Sequence, residues 1–492
     1  MTLQHVTLED KYTATDGRVY ITGIQALVRL PMMQRQLDAA NGLKTAGFIS
    51  GYRGSPLGGY DQQLWKAKKH LAKHDIVFEP GINEDLAATA VWGSQQANLH
   101  PNPKFDGVFG LWYGKAPGVD RTGDVFRHAN AAGTMPHGGV LAIAGDDHAC
   151  KSSTLPSQSE YTFMDLEIPV LNPSGIQEIL DYGLYGYAMS RFAGVWVSMI
   201  ALAETMDASA TVEVRPARMG LKPVTNFVMP PDGLNIRMGD KPVDQERRLR
   251  DYRIPAVLAF ARANQLNRVV IDSPQPKIGI VATGKSYLDL RQALIELGID
   301  YKAAAAMGIR VLKVGMTWPL EQDGIKRFAE GLETVLVIEE KRPLLETQIR
   351  DILYDMHDSR RPRVIGKKDQ AGLPLIRDIL DLNPALIAMA LARVLPRDHW
   401  PEKMRAEVPA IEDRLRKSGE LTAIHERQPY YCSGCPHNTS TKPTEGSVTL
   451  AGIGCHYLVT MMPARESRLF TQMGGEGVPW IGTAPFTNTK HA

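Results

Sequence analysis

The feature that most limits what this chain can fold into is an alternation running through its first 235 residues: short apolar runs separated by helical patterns. The runs are Ala46-Gly47-Phe48-Ile49, Ile76-Val77-Phe78, Gly107-Val108-Phe109-Gly110-Leu111-Trp112, Gly139-Val140-Leu141-Ala142-Ile143 and Val195-Trp196-Val197. Between them lie segments with a period near 3.6, such as Ile176, Leu180, Leu184 and Tyr187 on one face. Ser174 followed by Gln177 has the spacing of a capping box at the start of that helix. Strands alternating with helices predict a parallel sheet covered on both faces.

Residues 219–256 break the pattern. Met229-Pro230-Pro231-Asp232-Gly233 is turn chemistry, and Asp240 to Arg253 is a dense charge run, read as a solvated face leading into a helix over Ala256–Asn264. A second, smaller α/β unit follows. Ile278–Ala282, Val311–Val314 and Thr334–Ile338 are its strands, with a helix over Gly324–Gly331 and apolar stripes at Tyr287, Leu290, Leu294, Leu297 and at Leu345, Ile349, Ile352, Leu353. Residues 401–428 read as a polar linker, a helix at best. The last segment, from Pro429 to Ala492, holds three of the four cysteines and few apolar runs, and it is expected to be only part of a domain.

The charge balance narrows the class. Lys plus Arg total 56 against 54 Asp plus Glu, a net charge of +2, so nothing suggests a polyanion binder. No apolar run reaches the roughly 18 residues of a membrane span, and Met1-Thr2-Leu3-Gln4-His5 lacks the order of a signal peptide. Four cysteines in 492 residues are too few for a disulfide framework. The expectation is a cytoplasmic α/β enzyme.

Four places could carry chemistry. The loop Gly51-Tyr52-Arg53-Gly54-Ser55-Pro56 follows a strand directly, where open α/β sheets bind ligands, although a plain turn has the same composition. In Gly81-Ile82-Asn83-Glu84-Asp85, an acid at a helix start is either a dipole-favoured charge or a buried carboxylate meeting a cofactor nitrogen. Gly145-Asp146-Asp147-His148-Ala149-Cys150-Lys151-Ser152-Ser153 sets carboxylates, His, Lys and Ser at a strand end. Cys432-Ser433-Gly434-Cys435-Pro436-His437 with Gly454-Cys455-His456 has the spacing of a zinc or iron–sulfur site; unligated thiols are the alternative.

In this order the four elements resemble the fused bacterial indolepyruvate ferredoxin oxidoreductases, members of the thiamine-diphosphate-dependent 2-oxoacid:ferredoxin oxidoreductases. Ala87-Ala88-Thr89-Ala90-Val91-Trp92-Gly93 and Gln472-Met473-Gly474-Gly475-Glu476-Gly477 also fit. The resemblance implies an α/β chain of successive doubly wound domains of the thiamine-diphosphate-enzyme type. Residues 1–235 would bind the pyrimidine end, 236–275 would be linker and helix, and 276–400 would be a transketolase C-terminal-like domain. Residues 401–428 would be a linker, and 429–492 the start of an incomplete diphosphate-binding domain.

Glu84 matches the family's activating glutamate, which hydrogen-bonds the pyrimidine nitrogen and promotes the imino tautomer of the exocyclic amine. Tyr52, Arg53, Gly54, Ser55 and Pro56 fall at the substrate-side loop. Asn83, Asp146, Asp147, Ser153, His437 and Gly454 are implied as cofactor-side residues, and Cys432, Cys435 and Cys455 as ligands of a 4Fe–4S cluster whose fourth ligand lies elsewhere. The implied reaction is oxidative decarboxylation of an aryl 2-oxoacid to its acyl-coenzyme A, with Mg2+ as the diphosphate's metal, ferredoxin as electron acceptor and a homo-oligomeric assembly. Two other readings compete: a non-oxidative thiamine diphosphate enzyme with structural cysteines, and an inactive fragment or binding module.

Overall fold

The computed structural model describes residues 6–420, 428–447 and 449–489. Expectations that touch Met1–His5, residues 421–427 of the linker, and Lys490–Ala492 lie outside them. The chain divides into two compact units, Met1–Lys151 with Pro156–Asp413, and Ser152–Leu155 with Arg414–Ala492.

The first unit holds two α/β lobes. Its strands in chain order are β1 (Arg18–Thr22), β2 (Thr45–Gly51), β3 (Ile76–Phe78), β4 (Gly107–Lys115), β5 (Val140–Asp146), β6 (Val170–Leu171), β7 (Trp196–Leu202) and β8 (Ser209–Glu213), then β9 (Asn267–Ile271), β10 (Ile278–Thr283), β11 (Ile309–Val314), β12 (Met316–Trp318), β13 (Thr334–Ile338) and β14 (Arg363–Ile365). Among the described residues the larger sheet has seven strands in the order β12-β6-β7-β5-β4-β2-β3, parallel except where β12 runs against β6. Every residue of β5 and β7 is buried. A sheet covered on both faces is written as continuous apolar runs, which is why these strands are visible in the sequence. The second sheet runs β14-β13-β10-β11-β9, with β9 an antiparallel edge. The mixed α/β architecture of doubly wound parallel sheets is as expected.

Four expectations need correction. The stretch 236–275, expected to be linker and helix, ends in strand β9, whose opening Asn267-Arg268 hides its pairing. Met316–Trp318, inside the expected second domain, instead closes the edge of the first lobe's sheet through β6. A three-residue strand carries no periodic signal. The Ser174 capping box does not form: Gly175 is the N-cap of the helix Ile176–Ala193, while Ser174 donates its backbone N–H to Glu178 at 2.8 Å and Gln177 bonds Asp181 and Glu213.

The charge run is only partly a solvated face. Arg250 is exposed and pairs with Glu167. Arg253 is fully buried, and its guanidinium donates to the carbonyls of Asn130, Ala131 and Ala132 at the end of the helix Gly123–Ala132, and to Leu234.

The expected linker from 401 contains the helix Glu402–Glu420, with Met404 and Ile411 fully buried. The second unit pairs β15 (Thr449–Ala451) with β16 (Ser467–Phe470) over a small core of Tyr431, Ala451 and Val459. No described helix is long and apolar enough to cross a membrane.

Candidate functional site

Parallel strands bring their carboxyl ends to one edge of a sheet, and ligands of such sheets bind there. Along this edge of the larger sheet stand, in spatial order, Glu84 beyond β3, the Gly51–Pro56 loop after β2, Lys115 at the end of β4, Asp146 and Asp147 at the end of β5, and Glu204 beyond β7.

Glu84 is the first residue of the helix Glu84–Ser94. Asn83 caps that helix, its side-chain oxygen accepting the N–H of Leu86 at 2.9 Å. This end-on start turns the Glu84 side chain inward, where it is 2% exposed. The Trp112 indole N–H donates to the Glu84 carbonyl at 2.9 Å and holds the turn. Gly118 lies so close that a Cβ there would come within 2.5 Å of the Glu84 Cγ. Burial raises the carboxyl pKa, partly offset by Arg121, which pairs with Asp85. One carboxylate oxygen, Oε2, has no hydrogen-bond partner. A buried polar atom without a partner is uncommon and needs an explanation; a ligand donor directed at Oε2 would supply one.

The Gly51–Pro56 loop is anchored by the Tyr52 N–H, which donates to the Tyr113 carbonyl at 3.0 Å, and by that of Leu57, which donates to the Gly54 carbonyl at 2.7 Å. Gly54 lets it approach Lys115: a Cβ at position 54 would sit 2.9 Å from the Lys115 Cβ. Pro56 packs on Gly145 at the end of the next strand. Tyr52 is half-buried, while Arg53 and Ser55 are exposed.

Lys115 was not anticipated from the sequence. It is one Lys among 56 basic residues, and only the register of β4 against β2 and β5 sets it between the loop and Asp147. Burial lowers its pKa, with Asp147 and Cys150 acting in the opposite direction.

The loop after β5 is mostly self-supporting. Both oxygens of buried Asp146 accept from Ser159, from its N–H at 2.8 Å and its hydroxyl at 2.7 Å. Asp146 thereby organises the loop. Asp147 accepts the Lys151 N–H at 2.9 Å. Ser153 belongs to the segment grouped with the second unit.

In that unit the Cys435 N–H donates to the Cys432 carbonyl at 3.0 Å, and the His437 and His456 rings lie 5.5 Å apart. The Nδ1 of His456 accepts the Gly452 N–H, and Gly454 takes a left-handed φ of 73°. Cys432 and Cys455 are exposed and Cys435 is half-buried. Among the described residues, no three His, Cys, Asp or Glu side chains form a group that could hold a metal ion.

The indolepyruvate oxidoreductase domain model matches residues 268–418. The chain is 24% identical over 496 residues to indolepyruvate oxidoreductase subunit IorA of Methanothermobacter thermautotrophicus, covering 97% of this chain and 69% of that one. It is 24% identical over 473 residues to the subunit of the same name from Pyrococcus horikoshii, covering 93% and 64%. The chain thus spans about two thirds of the length of these relatives. The solved 2-oxoglutarate:ferredoxin oxidoreductase of Magnetococcus marinus, with 2-oxoglutarate, coenzyme A and succinyl-CoA bound, shares the fold at a TM-score of 0.51 and 14% identity, over 78% of this chain and 65% of that one. Relatives aligned along nearly the whole chain and a domain match starting in β9 agree on one likeness: the chain is similar to the indolepyruvate oxidoreductases.

Proposed function

We propose that the chain is the thiamine-diphosphate-binding part of a 2-oxoacid:ferredoxin oxidoreductase acting on aryl 2-oxoacids of the indolepyruvate type, with coenzyme A as acyl acceptor. The observation that carries this reading is the buried Glu84, whose Oε2 has no partner within the chain. Thiamine diphosphate, when bound, supplies the electron sink that decarboxylation of a 2-oxoacid needs.

The chain's residues prepare for that chemistry. Glu84 would hold a proton at Oε2, a buried oxygen whose carboxyl pKa burial raises. Gly118 leaves room for the carboxylate, and the Trp112 indole fixes the backbone that carries it. Lys115 offers a partly desolvated ammonium beside the Ser55 loop, suited to an oxoacid carboxylate. The relatives' names support indolepyruvate as substrate, and the coenzyme A held by the Magnetococcus enzyme supports the acyl acceptor.

The test follows tryptophan fluorescence during titration with thiamine diphosphate and Mg2+, beside oxoacid-dependent ferredoxin reduction. Glu84→Gln is expected to keep the fold and lose turnover by orders of magnitude. Near-normal ferredoxin reduction by this variant would refute the assignment. The ungathered cysteines favour a second reading, a non-oxidative thiamine diphosphate enzyme. It predicts oxoacid decarboxylation with no iron in the protein and no radical signal on adding substrate.

A further inference from the structure

Where the carboxyl ends of β5 and β6 approach those of β10 and β13, a polar cavity of about 20 Å3 lies between the two lobes of the first unit. His148, Glu160 and Asn172 line it from the first lobe, and Lys285, Glu339 and Glu340 from the second. Two lining atoms have no hydrogen-bond partner, the Oε2 of Glu160 and the Nε2 of His148, and both side chains are only 6% exposed. A polar cavity of this size holds one water, which needs two to four polar partners.

We propose that Glu160 and His148 share one buried water, and that the carboxyl proton of Glu160 makes the seam between the lobes a pH-sensitive latch, closed at neutral pH and loosened in alkali.

The hydrogen bonds locate that proton. The two oxygens of Glu339 accept the Leu345 and Glu346 N–H groups at 2.7 and 2.9 Å, which suits a carboxylate. Asp146 accepts twice from Ser159. Glu340 accepts the Leu382 N–H at 3.0 Å and lies 3.4 Å from Lys285. Glu160 receives its own backbone N–H and, weakly, the Asn172 amide at 3.5 Å, while Oε2 has no partner, so it is the carboxyl that gains least by ionising. Burial, Asp146, Glu339 and Glu340 push it up to about 8, while burial pushes Glu339 to about 7.

The nearby cations are engaged. Lys285 binds Asp289 and the Leu382 carbonyl, Lys367 binds the Glu339 carbonyl, and Lys151 bridges Glu204 and Asp381. Lys341 faces Glu340, and Arg342 lies over the Tyr161 ring. Burial keeps His148 neutral, with Asp146 and Glu204 opposing and Lys341 and Lys285 reinforcing. Ionised Glu160 would therefore face Asp146, Glu339 and Glu340 without a cation of its own.

Infrared difference spectra of wild type against Glu160→Gln test this with neither substrate nor cofactor. Beside a component with a midpoint near 7 that belongs to Glu339, a protonated carboxyl C=O band titrating with a midpoint near 8 is expected, lost in Glu160→Gln and kept in Glu339→Gln. His148→Phe should shift that band, since the bridging water goes. Protection against hydrogen exchange in the helix Leu344–Tyr354, after division by the base-catalysed intrinsic rate, should fall through the same pH range in wild type and stay constant in Glu160→Gln. A band missing at pH 7, or removed by Glu339→Gln instead, would overturn the placement of the proton. A band that His148→Phe leaves unmoved would overturn the water bridge, and exchange independent of Glu160 would overturn the latch.

Discussion

Replacing Arg253 by Met probes the least expected contact in the fold. The guanidinium makes four bonds to buried carbonyls, at 2.9 Å to Leu234, 3.1 Å to Asn130, 2.8 Å to Ala131 and 3.1 Å to Ala132. Three of those carbonyls end the helix Gly123–Ala132, where no intrahelical donor remains. Hydrogen bonds from a charged group contribute roughly 1.5–3 kcal/mol each, so four amount to about 8 kcal/mol. Against this, Met avoids holding a charge out of water, which costs several kcal/mol per ion, say about 5. The net destabilisation is about 3 kcal/mol. Arg253→Lys should fall between Met and wild type, because an ammonium keeps the charge but not the planar fork. Urea unfolding followed by tryptophan fluorescence measures the difference, and exchange of the amides in Gly123–Ala132 localises it. A loss under about 1 kcal/mol, with those amides unaffected, would refute the claim that Arg253 caps this helix.

Asp38→Ala should cost about 3 kcal/mol in the same denaturation assay, since it removes a buried carboxylate that holds the half-buried Arg191 at 2.6 and 2.8 Å. Gly118→Ala should displace the Glu84 side chain and weaken thiamine diphosphate binding at least tenfold by fluorescence titration, while leaving the secondary structure unchanged by circular dichroism. Glu84 carries a pKa raised by burial, so its ionised form opposes folding and that penalty grows as pH rises from the ordinary carboxyl range to the folded-state value. Glu84→Gln should therefore unfold at equal or higher denaturant than wild type at pH 8, and a less stable variant would contradict the desolvation argument.

Residues 140–144 and 195–197 announce buried strands because a sheet covered on both faces tolerates few polar side chains. Glu84 and the loop at 51–56 were also legible, since their place after strands and before helices is a local matter. Much of the rest depends on contacts distant in sequence. β12 joins β6 across nearly 150 residues, and three residues hold no periodicity to betray it. Arg253 looks like one more surface charge until the end of a helix some 120 residues earlier packs over it. Lys115 becomes a candidate only when register sets it beside Gly54, and Glu160 meets Glu339 only when two lobes close on one cavity. Chain periodicity decides which segments become strands and helices, because each needs only its own pattern of apolar side chains. Which charges are buried, and so which carboxyls hold protons, is decided by tertiary packing, because desolvation depends on every neighbour that folding brings near.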